Sequence, residues 1–205
     1  MEARRKTIVD LLQAQREICS QTGAHQATVY RIRDALKHRD PIKRSPGASA
    51  MMLGVVGSDG TRMPPYWFPK GLRVGSKEYL EVLQTVVKPW LDATYPEGNY
   101  VWQQDGAPGH NANVTQKWLK ANLANFWPKE LWPPSSPDLN PLDYGFWGVL
   151  ESRACSVPHK SVEALKISVG EHWANMSEAF VQSTCLSFRR RLEAIIAANG
   201  GHIEN

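Results

Sequence analysis

Apolar positions recur every three to four residues over 77–93, where Tyr79, Leu80, Leu83, Val86, Val87, Trp90 and Leu91 fall on one face, and this period predicts an amphipathic helix. Upstream of it the pattern changes. The stretch 49–56, apolar from Ala50 to Val56, reads as a buried strand. The Asp59-Gly60 pair that follows favours a hairpin turn, and a second short strand is predicted over 65–68. Downstream, 100–104 is short, apolar and aromatic and stops at Asp105-Gly106, so it reads as a strand ending in a carboxylate. A helix is predicted over 114–123, a strand interrupted by Pro128 over 126–131, a helix over 142–153 and two more helices within 161–199. Strands alternating with helices after an initial hairpin describe an α/β or α+β domain.

The first 39 residues differ in period. Ile8, Leu11 and Leu12, and then Val29, Ile32 and Leu36, recur at helical spacing, which predicts short helices over 4–15, 16–21 and 26–39. The polar, glycine-containing stretch 21–25 would be the turn between the second and third, a helix-turn-helix pattern. On that reading the third helix presents Gln26, Thr28, Tyr30, Arg31 and Arg33, a set of amide, hydroxyl, phenol and guanidinium groups suited to base edges and phosphates. The segment 40–47, with two prolines and a glycine, reads as a linker whose Lys43 and Arg44 extend the basic surface. The expected organisation is a helix-turn-helix segment over 1–39, a basic linker over 40–47 and an α/β or α+β domain over 48–205.

Charge reinforces this division. The 205-residue chain carries a net charge of +4, yet residues 1–45 hold ten Lys and Arg against five acids, so all the net positive charge lies in the first quarter. Such asymmetry suits a nucleic-acid partner. Apolar residues make up 42% of the chain, which excludes a disordered or fibrous class. Three cysteines without Cys-x-x-Cys spacing suggest reduced thiols, not a disulfide frame or a zinc site. The longest apolar run is too short to span a membrane, so no membrane partner is expected.

Two acids stand where chemistry could be done. Asp105 closes a predicted strand, and Asp143 lies in the first turn of a predicted helix, with Asn140 able to cap it and Pro141 suited to its first position. Carboxylates brought together from separate elements are the usual ligands of hard divalent cations in phosphoryl transfer. Taken singly, each acid also has a structural reading, as a turn residue before glycine or as a favourable charge at a helix N-terminus.

The surrounding motifs are more specific. Gln103-Gln104-Asp105-Gly106-Ala107-Pro108-Gly109-His110 resembles the second-aspartate motif of mariner-type transposases, and Trp132-Pro133-Pro134-Ser135-Ser136-Pro137-Asp138-Leu139-Asn140-Pro141-Leu142-Asp143-Tyr144 resembles their third-acid motif. The 37 residues between the two acids are similar to the spacing in the mariner-related branch that uses aspartate as third acid. The resemblance implies a ribonuclease H-like mixed sheet flanked by helices, with Asp105 and Asp143 as catalytic, metal-binding residues for Mg2+ or Mn2+. It also implies double-stranded DNA, in the form of transposon terminal inverted repeats, as partner, action as a homodimer, and a nuclear location. Within the motifs, Asp138 reads as ordering the Pro-rich loop and His110 as a loop hydrogen-bonding residue.

The family's first catalytic aspartate stands on a strand before the segment that here begins at Ala50. No acid-bearing strand is legible there: Asp34 falls in a predicted helix, Asp40 precedes a proline, and Asp59 belongs to a hairpin turn. The first strand of the fold is therefore expected to be missing and cleavage to be impaired. The alternative is a domesticated, non-catalytic module that binds DNA or protein, to which the run Arg189 to Arg191 could contribute.

Overall fold

The computed structural model describes residues 50–133, 136–198 and 203, together with the backbone of 25–31. Its centre is a mixed four-stranded sheet in the order β3-β2-β1-β4, formed by β1 (His25–Arg31), β2 (Met51–Gly57), β3 (Tyr66–Phe68) and β4 (Tyr100–Gln104). β2 runs antiparallel to both β1 and β3, whereas β1 and β4 are parallel. The β2–β3 connection turns at Gly60, whose φ of 101° suits glycine. The Asp59 carboxylate steadies the turn by accepting bonds from the Thr61 amide (2.9 Å) and hydroxyl (2.7 Å). This is the hairpin that the Asp-Gly pair predicts.

Helices cover both faces. On one side lies α1, built of Ser76–Val82, a π-helical turn Leu83–Val87 and Lys88–Thr94 in unbroken succession. Pro89 accounts for the wide turn, because a proline inside a regular helix lacks an N–H and collides with the carbonyl four residues earlier. The short α2 (Pro108–Asn111) and α3 (Asn113–Asn122) follow β4. The remaining helices are α4, which joins a π-helical turn Leu142–Phe146 to Trp147–Ala154, then α5 (Val162–Ala174) and α6 (Glu178–Ala197). Ser161 and Ser177 cap α5 and α6 by accepting bonds from the Ala164 and Phe180 amides.

Alternation along β2 divides the core. Leu53 and Val55 join Leu83, Leu91, Trp102 and Leu119 on the α1 and α3 side, while Met52 and Val56 join Phe146, Trp147, Trp173 and Val181 on the other. A third cluster packs Val101 and Trp127 against Phe188, Leu192 and Ile195 of α6. Among the described residues no helix is long and apolar enough to cross a membrane.

Two expectations need correction. The helix predicted from residue 26 is replaced over 25–31 by strand β1, paired on both sides; the rest of the expected helix-turn-helix, 1–24 and 32–39, lies outside the described residues. The central position thought to be empty is thus occupied, although by a strand without an acid. The strand predicted over 126–131 shrinks to one parallel bridge between Phe126 and Trp102, followed by a 3-10 turn at Lys129–Leu131. Pro128 explains this, since it has no N–H to continue a ladder. The mixed α/β, ribonuclease H-like class stands.

Candidate active site

Strand β4 carries the first acid to its position. Its five residues are all buried, and two of them are polar, Gln103 and Gln104. Gln104 is held from three sides: its carbonyl accepts from the Tyr79 hydroxyl (2.9 Å) and the Trp102 indole (3.3 Å), and its amide donates to the His110 carbonyl (3.0 Å). Burial, and then the charge of Asp105, push the Tyr79 hydroxyl well above its ordinary pKa, so it remains a proton donor to Gln104. Asp105 follows at the carboxyl end of the strand, partly exposed. Its Oδ1 accepts from the Ala107 amide (3.0 Å) and lies 2.5 Å from His110 Nδ1.

His110 itself is 3% exposed. Its ring lies 4.2 Å from that of Tyr79 between centroids, and its carbonyl also accepts from Gln116 (2.9 Å). The sequence reading placed His110 in a loop hydrogen bond; its partner proves to be the acid. The signal in the sequence was the five-residue offset between the two on a turn entering a helix, together with two glutamines on an otherwise apolar strand.

The second acid is set by a cap. Asn140 Oδ1 accepts from the amides of Leu142 (2.9 Å) and Asp143 (3.2 Å), fixing the first turn of α4 around Asp143 as the motif predicts. The Asp143 carboxyl is pushed up to about 7, chiefly because surrounding atoms strip it of water and secondly by the negative charge of Asp105. The indole of Trp147, one turn on, draws it the other way. The Asp143 side chain is nonetheless exposed at the surface, and water there limits how far neighbouring atoms can raise its pKa. The side-chain nitrogen of Asn140 is buried and has no hydrogen-bond partner among the described residues. The two carboxylates therefore lie within electrostatic reach of one another, at the meeting of β4 and α4.

The loop before α4 is pinned from α6. Arg191 sits over the Tyr144 ring at 4.0 Å and donates to the Asp138 carbonyl (3.3 Å), and Asp138 Oδ2 accepts from the Ile203 amide (3.4 Å). Arg189 pairs with Glu193 and is exposed, as is Arg190. Asp138 thus orders the loop, and the arginine run divides into one clamp and two surface residues. Trp132 lies beside the site, its ring edge 3.6 Å from where a Cβ on Gly106 would be.

The chain is similar in sequence and in fold to known transposases. The chain is 27% identical over 164 residues to the Tc1 transposase of Caenorhabditis elegans, covering 80% of this chain and 57% of that protein. It is 25% identical over 154 residues to the Tcb2 transposase of Caenorhabditis briggsae, covering 75% and 54%. It superimposes on the Mos1 transposase catalytic domain solved with raltegravir and manganese, with a TM-score of 0.78 at 20% identity over 100% of this chain and 96% of that one. The chain is homologous to the mariner/Tc transposases. No family model matches it, and it spans about half the length of the curated relatives quoted.

In this mariner/Tc homologue the acid-bearing first strand is absent among the described residues. β1 occupies a central place in the sheet, and its parallel register sets Thr28 beside Gln103 and Val29 beside Gln104; carried one step further, it puts Tyr30, not an acid, beside Asp105. Of the residues read as DNA-contacting, Gln26, Thr28, Tyr30 and Arg31 belong to this strand, whereas Arg33, Lys43 and Arg44 lie outside the described residues. No three His, Cys, Asp or Glu side chains among the described residues converge as a metal-binding group.

Proposed function

We propose that this chain is a transposase-derived DNA-binding protein that holds a single Mg2+ or Mn2+ weakly between Asp105 and Asp143 and is impaired in DNA cleavage. The carrying observation is the acid-free β1, which sits beside β4 and supplies no carboxylate to join the two acids. The donor set suits a hard cation: two carboxylate groups repel one another, and a cation between them would relieve that repulsion. Two-metal chemistry polarises both the attacking and the leaving oxygens of a phosphodiester, and it needs more ligands than this pair offers. Asn140 would hold Asp143 in place, and Ala107 and His110 would hold Asp105.

Homology to DNA transposases supports double-stranded DNA as the partner, with terminal inverted repeats as the specific target. Mos1 has been solved as a paired-end complex with manganese, which supports metal dependence and a homodimeric arrangement here. The concentration of positive charge before residue 46 supports the same partner, and a nuclear location goes with it. That no third acid joins the pair among the described residues favours the non-cutting reading, in which binding is the retained activity.

The test is to incubate the purified chain with inverted-repeat duplex and Mn2+. Gel-shift binding that weakens steeply with salt is expected, with little or no nicking. Robust metal-dependent nicking, abolished in Asp105→Ala or Asp143→Ala, would overturn the impairment; absence of salt-sensitive binding would overturn the DNA partner.

A further inference from the structure

Asp105 is the solvent-facing end of a polar network that otherwise lies inside the molecule. From the inside outward it runs from the Tyr79 hydroxyl to Gln104 Oε1, from Gln104 Nε2 to the His110 carbonyl, and from His110 Nδ1 to Asp105 Oδ1. Tyr79, Gln104 and His110 are each less than 5% exposed. Four elements contribute, α1, β4, α2 and, through Gln116, α3, so the imidazole has little freedom. Burying such groups is costly unless each is bonded, and a rigid, bonded network is the form in which it is tolerated. A turn needs none of this: the Ala107 amide alone already secures the Asp-Gly bend through the same oxygen.

We infer that His110 is a positioning residue for Asp105, its Nδ1–H donating to the carboxylate so that the acid is presented to a divalent cation in one fixed orientation. The inference rests on the metal-site reading given above. It assigns the ring a proton on Nδ1 and gives the buried glutamine a purpose, which is to anchor the backbone of the residue that orients the ligand. Partners of this kind behind metal-binding groups typically change metal affinity by about 10- to 100-fold when removed.

Mn2+ binding to the full chain, followed by the electron paramagnetic signal of the free ion, tests the role. His110→Phe keeps a ring against Tyr79 but deletes the donor, and a loss of about 10- to 100-fold in Mn2+ affinity is expected with the fold intact by circular dichroism. His110→Asn places an amide nitrogen the same number of bonds from the backbone as Nδ1, and is expected to recover most of the affinity. Unchanged affinity in a folded His110→Phe, or equal losses in both variants, would overturn the proposal.

A measurement independent of metal separates this idea from the metal site itself and does not require the variants to fold. Nitrogen-15 chemical shifts of His110 in the wild-type chain should show a proton on Nδ1. A neutral ring protonated on Nε2 alone would refute the positioning role. If instead Nδ1 carries the proton but the wild-type chain binds no Mn2+, the orientation stands and the metal-site reading fails.

Discussion

The carboxyl of Asp143 gives the residue scale its sharpest consequence, because its proton is retained in the folded chain up to about pH 7. In the unfolded chain an aspartate gives up its proton near 3.9. Between those values the folded state binds more protons than the unfolded one, so stability falls as pH rises through the window and the full cost is present above about 7. Water on the exposed side of Asp143 makes the cost smaller than that of a wholly buried acid. The prediction is a divergence in melting temperature between wild type and Asp143→Asn. The asparagine variant should gain on wild type from pH 4 to pH 7 and hold a constant lead above it, as followed by circular dichroism. A gap that does not change with pH would show that the carboxyl is not perturbed. Mn2+, by supplying the positive charge that the pair lacks, should shrink the lead.

At the scale of elements, the helices behind the site are fixed to the sheet by two tryptophans that need a glycine beneath them. Trp147 of α4 and Trp173 of α5 stack 6.0 Å apart with ring planes at 23°, and Trp173 Nε1 donates to the Met63 carbonyl (2.9 Å). A Cβ on Gly54 of β2 would come within 2.8 Å of the Trp173 ring and 3.0 Å of the Trp147 ring. Neither ring can retreat, since both are buried. Gly54→Ala should therefore destabilise the fold by about 1–3 kcal/mol in chemical denaturation, the usual range for overpacking. An unchanged midpoint would mean that the tryptophan pair is looser than the packing implies. Much of this level is legible in the sequence. The strand 100–104 and the helix from residue 77 declare themselves by period and punctuation, and Asn140 and Pro141 announce the start of α4 around Asp143. The Gly54 requirement is not legible, because it depends on rings that are 93 and 119 residues away in the chain. The His110–Asp105 bond is legible only in part: the five-residue offset allows it, but the turn geometry of 106–109 decides it. β1 is the clearest failure: Val29, Ile32 and Leu36 have helical spacing, but Thr28, Val29 and Tyr30 are strand-forming types, and the open ladder edges of β2 and β4 settle the matter for the strand. Pairing between segments so far apart in sequence leaves no local period to read.

For the whole molecule, the position of β1 alters what the basic first quarter of the chain can be. Sequence alone divides the chain into a helix-turn-helix segment over 1–39, a basic linker over 40–47 and a separate domain over 48–205. β1 is instead bonded on both sides, antiparallel to β2 from Ala27 to Arg31 and parallel to β4 from His25 to Val29, so its loss would strand the backbone donors and acceptors of both neighbours inside the sheet. The arm and the fold must then be separated further upstream. A chain beginning at residue 25 should keep a cooperative unfolding transition and the circular dichroism of the full chain. It would lose Arg4, Arg5, Lys6 and Arg16, and with them part of the positive charge, so its DNA affinity should drop and its salt dependence become shallower. A chain beginning at residue 46 should fail to fold cooperatively. If the shorter chain melts as sharply as the full one, β1 is dispensable, and residues 25–31 are available to the helix-turn-helix that their period predicts. If both truncations fold and only the shorter one loses DNA binding, the DNA contacts lie between 25 and 45, where Arg31, Arg33, Lys43 and Arg44 are found.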